Sequence, residues 1–180
     1  MTRIYHSKKG PITIRPVRVE DASSILIHLK TVDQETRFLA RAPGEMTLTL
    51  EEEENFIRGI IEDETTHFLV AEAEGRIIAT CSIGLVMKRR RFRHRASLGI
   101  GLQEAFWGLG IGSCLLEACE KWAKKTGVEQ MELEVVVDND RGLGLYKKMG
   151  FEVFGTKKKA LKYDDGTYAD EYFMIKFLNE

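Results

Sequence analysis

The chain has 180 residues, of which 43% are hydrophobic and 31% charged, and its formal net charge is −1. That composition supports a packed core and argues against wholesale disorder, and the balanced charge argues against a nucleic-acid partner, whose footprint is a basic excess. The length suits a single domain over residues 1–180. The odd set of thiols, Cys81, Cys114 and Cys119, contains no CxxC pair, so neither a disulfide framework nor a metal ribbon is implied. The thiols read as packing groups in a reducing, cytoplasmic compartment. Residues 1–10 read as a charged N-terminal extension without the apolar run of a secretory signal, and no stretch reaches the ~20 apolar residues that span a bilayer.

In chain order, Ile12 to Arg15 alternates and predicts a first strand. Asp21 is placed to cap a helix carrying Ile25, Leu26 and Leu29. Thr49 and Glu52 form a capping box ahead of Phe56, Ile57, Ile60 and Ile61. His67–Glu74 and Ile77–Val86 flank Glu74-Gly75-Arg76 and predict a hairpin. A strand from about Ala96 to Leu102 runs into a glycine-rich turn, and a helix starts near Gly110. Ile111, Leu115, Ala118 and Trp122 share one face of that helix, and Gly127 stops it. Met131, Leu133, Val135 and Val137 alternate with Glu132 and Glu134, which predicts a strand with one buried face. A short helix over Arg141–Met149 ends at Gly150. Phe151–Ala160 and Tyr168–Leu178 flank Asp164-Asp165-Gly166 as a closing hairpin. The sum is a mixed α/β (α+β) fold: one twisted sheet of about seven strands flanked by about four helices.

The turn Gly108-Leu109-Gly110-Ile111-Gly112 lies between a strand and a helix. Its glycines let backbone approach a ligand, and the helix start offers unpaired N–H groups and the positive end of the dipole. Amides from Leu109 to Ser113 therefore make a phosphate cradle. The spacing fails both the Walker pattern and the dinucleotide GxGxxG pattern. Downstream, Asn139 can cap the short helix, Leu143 and Tyr146 share a side, and Gly150-Phe151 opens the next strand.

Taken together, Trp107-Gly108-Leu109-Gly110-Ile111-Gly112 and Asn139…Tyr146…Gly150-Phe151 resemble the GCN5-related N-acetyltransferase (GNAT) superfamily. The similarity is closest from about His94 to Phe177 and favours a bacterial subgroup similar to amino-acid N-acetyltransferases. The resemblance implies an N-acetyltransferase that moves an acetyl group from acetyl-CoA to a primary amine by direct attack in a ternary complex, without a metal. It implies that Ile100 and Leu102 meet the pantetheine arm through backbone groups. Gly108 to Ser113 would hold the pyrophosphate, Asn139 would face the cofactor arm, and Tyr146 would protonate the leaving thiolate. The family's usual Gln or Arg is Trp107 here, and Ser97 stands where other members carry an acidic residue. A small-molecule amine or amino acid is the implied acceptor, and edge strands leave room for a homodimer.

An attacking alkylamine must lose its proton, so a base or a water relay is required. Glu104, His94 and Asp170 are the candidates. Six of the eight residues from Lys88 to Arg95 are Lys or Arg. They read as a solvated turn, with an acyl-CoA-sensing or RNA-docking module as the alternative function.

Overall fold

The computed structural model describes residues 2–178. Its strands are β1 (Arg3–Ser7), β2 (Gly10–Pro16), β3 (Thr66–Ala73), β4 (Arg76–Leu85), β5 (Arg95–Leu102), β6 (Gln130–Val136), β7 (Glu152–Lys162) and β8 (Tyr168–Phe177). The helices are α1 (Ala22–Glu35), α2 (Leu50–Glu62), α3 (Ile111–Lys125) and α4 (Asp140–Lys148). All eight strands join one sheet in the order β1-β2-β3-β4-β5-β6-β8-β7. Every neighbouring pair is antiparallel except β5 and β6, which α3 connects as a crossover.

Side-chain alternation sorts the helices onto two faces. On β3, Leu69 and Ala71 enter one core while Val70, between them, enters the other. The larger core packs Ile111, Leu115, Leu116 and Cys119 of α3 against Cys81, Leu98, Met131, Leu133 and Met174. The smaller one joins Ile25 of α1 and Ile57 of α2 to Val17, Val70 and Ile77. The predicted stripe on α3 is therefore rotated: Cys119 and Ala123 are wholly buried, whereas Ala118 and Trp122 lie at its margin. Trp122 there stacks on His67, centroids 6.0 Å apart. The thiols are free and buried, and Cys81 Sγ lies 3.4 Å from Cys119 Sγ between β4 and α3.

Two local expectations need correction. The segment read as an extension contains β1, paired with β2 from Arg3↔Ile14 to Ser7↔Gly10, so the sheet has eight strands. Asp21 does not cap α1 with its side chain. Its carboxylate instead accepts from Arg18 N at 2.8 Å and from both terminal nitrogens of the buried Arg15, each at 2.7 Å. Arg15 also reaches Glu72 at 2.7 Å, so a charged triad lies below α1. The capping box at α2 forms as expected: Thr49 Oγ1 accepts from Glu52 N at 3.2 Å and Glu52 Oε2 accepts from Thr49 N at 2.8 Å.

Candidate active site

β5 and β6 run together over only three register pairs, Arg95↔Gln130 to Ser97↔Glu132. Beyond them the strands separate, and a cavity of about 930 Å³ opens between them. Leu98 to Leu102 line one side and Glu134 to Val136 the other, and the glycine turn and α4 close the end. The volume falls in the range of small-molecule sites.

The turn is held from behind by the N-terminal hairpin. Tyr5 Oη donates to Leu109 O at 2.7 Å, and Lys9 Nζ donates to Ala105 O at 2.6 Å. Gly110 is left-handed with φ 83°, and a Cβ there would meet Tyr5 Oη at 2.5 Å. A Cβ on Gly112 would meet Leu145 Cδ2 at 2.8 Å, so this glycine lets α3 and α4 approach. Gly108 has φ 73° and nothing within 4 Å of a built Cβ, which leaves its cavity side open. No side chain caps α3, whose first intrahelical bond is Cys114 N to Gly110 O. Among the described residues, the N–H groups of Ile111, Gly112 and Ser113 therefore have no protein acceptor, and all three residues line the cavity. This donor set fits a pyrophosphate.

At Trp107 the structure shows what replaces the expected Gln or Arg. Its Nε1 donates to Leu102 O at 2.8 Å, which engages that carbonyl and fixes the end of β5. The Arg141 guanidinium stands over the indole ring, 4.7 Å from its centroid, and both side chains line the cavity. The cation absent at position 107 is thus brought in from α4.

Asn139 caps α4: its Oδ1 accepts from Gly142 N at 2.9 Å, leaving Nδ2 as the remaining donor. Tyr146 is buried at 8% exposure, sits edge-on to Phe151, and lines the cavity. Burial, then the neighbouring Cys81, pushes its phenol well above the ordinary tyrosine range, so it stays protonated at neutral pH. Ile100, Leu102, Gly108, Gly110, Ile111, Gly112, Ser113, Asn139 and Tyr146 all border this one cavity. Leu109 does not border it; its carbonyl is held by Tyr5 and its side chain packs on the core.

The three candidate bases lie elsewhere. His94 is at the far start of β5, Glu104 is exposed with its N–H donating to Glu35, and Asp170 pairs with Lys158 at 2.7 Å; none borders the cavity. The carboxylates that do line it include Glu134 of β6 and Glu171 of β8. Sequence alternation placed Glu134 on the unburied face of its strand, but only the register Val136↔Glu171 and Glu134↔Phe173 brings the two glutamates to one face. Val32, Phe38, Leu39 and Ala40 give the same cavity an apolar lining. The basic run lies at the end of β5 remote from the glycine turn, with Lys88 paired to Asp63 at 3.0 Å and Arg95 paired to Glu132. No helix of the described residues is long and apolar enough to cross a membrane.

Comparison with known proteins agrees with this geometry. Residues 31–151 match the Acetyltransferase (GNAT) family. The L-amino acid N-acetyltransferase AaaT of Escherichia coli (strain K12) is 37% identical over 113 residues, which span 60% of this chain and 66% of that protein. A GNAT-family acetyltransferase from Streptococcus pneumoniae superposes with a TM-score of 0.87 at 30% identity, over 93% of this chain and 99% of that one. The fold is also that of yncA from Salmonella typhimurium, solved with its cofactor acetyl-CoA: the TM-score is 0.82 at 21% identity, covering 94% and 95% of the two chains. With its own glycine turn, divided strands and buried tyrosine in place, the chain belongs to the GNAT acetyltransferase family.

Proposed function

We propose that this protein transfers the acetyl group of acetyl-CoA to the primary amine of a small molecule or amino acid, by direct attack in a ternary complex. The observation that carries this reading is the convergence on one cavity of the uncapped start of α3, the divided β5–β6 seam and Tyr146. Acetyl-CoA supplies the activated acyl carbon and a thiolate leaving group. The amides of Ile111, Gly112 and Ser113, with Arg141 behind them, hold the pyrophosphate. Free backbone groups of β5 from Ile100 onward pair with the amide-bearing arm, and an N–H near Leu102 polarises the acyl carbonyl. Asn139 Nδ2 is a further donor along that arm. Tyr146, kept protonated by burial, donates its proton to the departing sulfur. The amino-acid acceptor is supported by the likeness to AaaT.

The test is calorimetric titration with acetyl-CoA, followed by free-thiol release against a panel of amines. Tyr146→Phe is expected to bind acetyl-CoA as the parent does and to lower kcat by about 100-fold or more. An acetyl-CoA titration without heat would refute the reading, and an unimpaired Tyr146→Phe would remove the tyrosine's role.

A further inference from the structure

The acetyl-transfer reading leaves the amine's proton without a destination, and the cavity supplies one. On β5, Leu98 and Ile100 turn toward α3, so Ser97, Gly99 and Gly101 face the other side, and Gly101 backs onto His28 of α1. On β6, Leu133 and Val135 likewise turn toward α3, which puts Glu134 on the same side as Ser97 and Gly99. Met174 of β8 is in the α3 core, so Glu171 shares the face of Glu134. No carboxylate projects from β5 along the seam, where Ser97, Gly99 and Gly101 stand. Small residues there leave room for an acceptor beside the next strand's carboxylates.

The charges on this wall do not cancel. Lys157 of β7 lies 3.2 Å from Glu134 Oε2 and 3.9 Å from Glu171 Oε2. One ammonium therefore serves two carboxylates, and Lys157 is not among the residues lining the cavity. The other charged groups of the cavity, Asp138, Asp140, Arg141 and Lys148, belong to α4 and the turn before it. Asp140 sits in the first turn of α4, where a carboxylate complements the helix dipole.

We propose that Glu134 and Glu171 are the acceptor-side catalytic pair, binding an incoming primary ammonium that carries an apolar body and removing its proton. The proposal rests on the acetyl-transfer reading above. The ammonium nitrogen seats against the pair while its apolar body meets Val32, Phe38, Leu39 and Ala40. One N–H proton passes to the pair, which leaves a nitrogen lone pair. The N–C bond forms at the acetyl carbon and the C–S bond breaks, and the sulfur takes the Tyr146 proton. The second excess proton on nitrogen restores the phenol. The products are the neutral amide and the free thiol, and the first proton leaves to water from the carboxyl pair. Burial, and then the adjacent Glu134, pushes the Glu171 carboxyl up against the pull of Lys157, which makes it a stronger base than a surface carboxylate.

The experiment separates proton removal from everything else. Acceptors are 2-phenylethylamine, L-phenylalanine and L-leucine, compared with methoxyamine, which is already neutral at neutral pH. Glu171→Gln and Glu134→Gln are nearly isosteric and are checked by thermal melting and by calorimetric affinity for acetyl-CoA, which should not change. The expected result is that kcat/KM for the fastest ammonium acceptor falls about 100-fold in at least Glu171→Gln. Methoxyamine turnover should stay within about threefold, because it needs no base. Equal losses on both classes, or no loss on either, overturn the proposal. So does parent enzyme that binds acetyl-CoA but accepts none of the three apolar amines. Failure to bind acetyl-CoA would instead bring down the underlying acetyl-transfer reading.

Discussion

Tyr5 and Gly110 should behave as a coupled pair even though 104 residues separate Tyr5 from the turn carbonyl it binds. Gly110→Ala puts a side chain at φ 83°, a left-handed conformation that costs about 1–2 kcal/mol outside glycine. The new Cβ would also lie 2.5 Å from Tyr5 Oη, so the ring must withdraw and its bond to Leu109 O is lost. That loss adds about 0.5–1.5 kcal/mol, for a total near 2–3 kcal/mol. Tyr5→Phe alone forfeits the same bond, about 1 kcal/mol. In the double variant the hydroxyl is gone, and the Cβ faces only Cζ at 3.3 Å. The bond is then lost once rather than twice, so the double should cost about 2–3 kcal/mol, roughly 1 kcal/mol less than the sum of the singles. Urea unfolding of the four proteins, followed by circular dichroism with equal m-values, measures this. Additivity within ~0.5 kcal/mol would refute the reasoning.

His28 and Arg15 make two further stability predictions. His28 is wholly buried, 3.4 Å from both Thr80 Oγ1 and Gln103 Nε2, and burial holds its pKa down at about 4, against the opposing pull of Asp33. A histidine depressed in the fold is neutral there, so as pH falls below 6.5 the unfolded chain gains a proton that the fold refuses. Stability should drop by about 3 kcal/mol on acidification to about 4, and His28→Leu should flatten that slope in unfolding measured against pH. Arg15→Met leaves Asp21 buried without its guanidinium and should cost about 3–5 kcal/mol in denaturant unfolding. Burial alone would raise the Asp21 carboxyl, but the Arg15 bonds overcome it and hold the group below its usual range. Its contribution is therefore present above an unfolded value of about 3.9 and lost as pH falls through the folded value. Arg15→Met should erase that acid limb, and an unchanged acid transition would count against the triad.

Legibility from sequence followed the range of the interaction. Alternation of Met131, Leu133 and Val135 with Glu132 and Glu134 is a period of two, and it placed β6 and its buried face correctly. The α2 capping box needs only residues three apart, and it forms as read. β1 left no such trace: it is an edge strand whose Ile4 is 61% exposed, so nothing in its pattern demands burial. Asp21 stands where a helix cap belongs, yet a guanidinium six residues away is the stronger partner. The glycine turn and Tyr146 could be seen because they sit on local elements. The meeting of Glu134 with Glu171 depends on β8 inserting between β6 and β7, which no local pattern encodes. Nor could the stacking of Arg141 on Trp107 be read from two positions on different elements, although Trp107 itself stood out.

The divided seam between β5 and β6 has a cost that concerns solubility rather than chemistry. Past Ser97 and Glu132 the two strands stop pairing with each other, so each carries a row of unmatched amide groups in the middle of the sheet. Such an edge is the feature that invites another extended chain to add itself, and proteins ordinarily confine it to short or charged outer strands. Here it lies inside a cavity that loop residues 38–40 and α4 also line, so those segments screen it. Thinning that screen, by trimming the loop between α1 and α2, would turn a ligand slot into an adhesive edge.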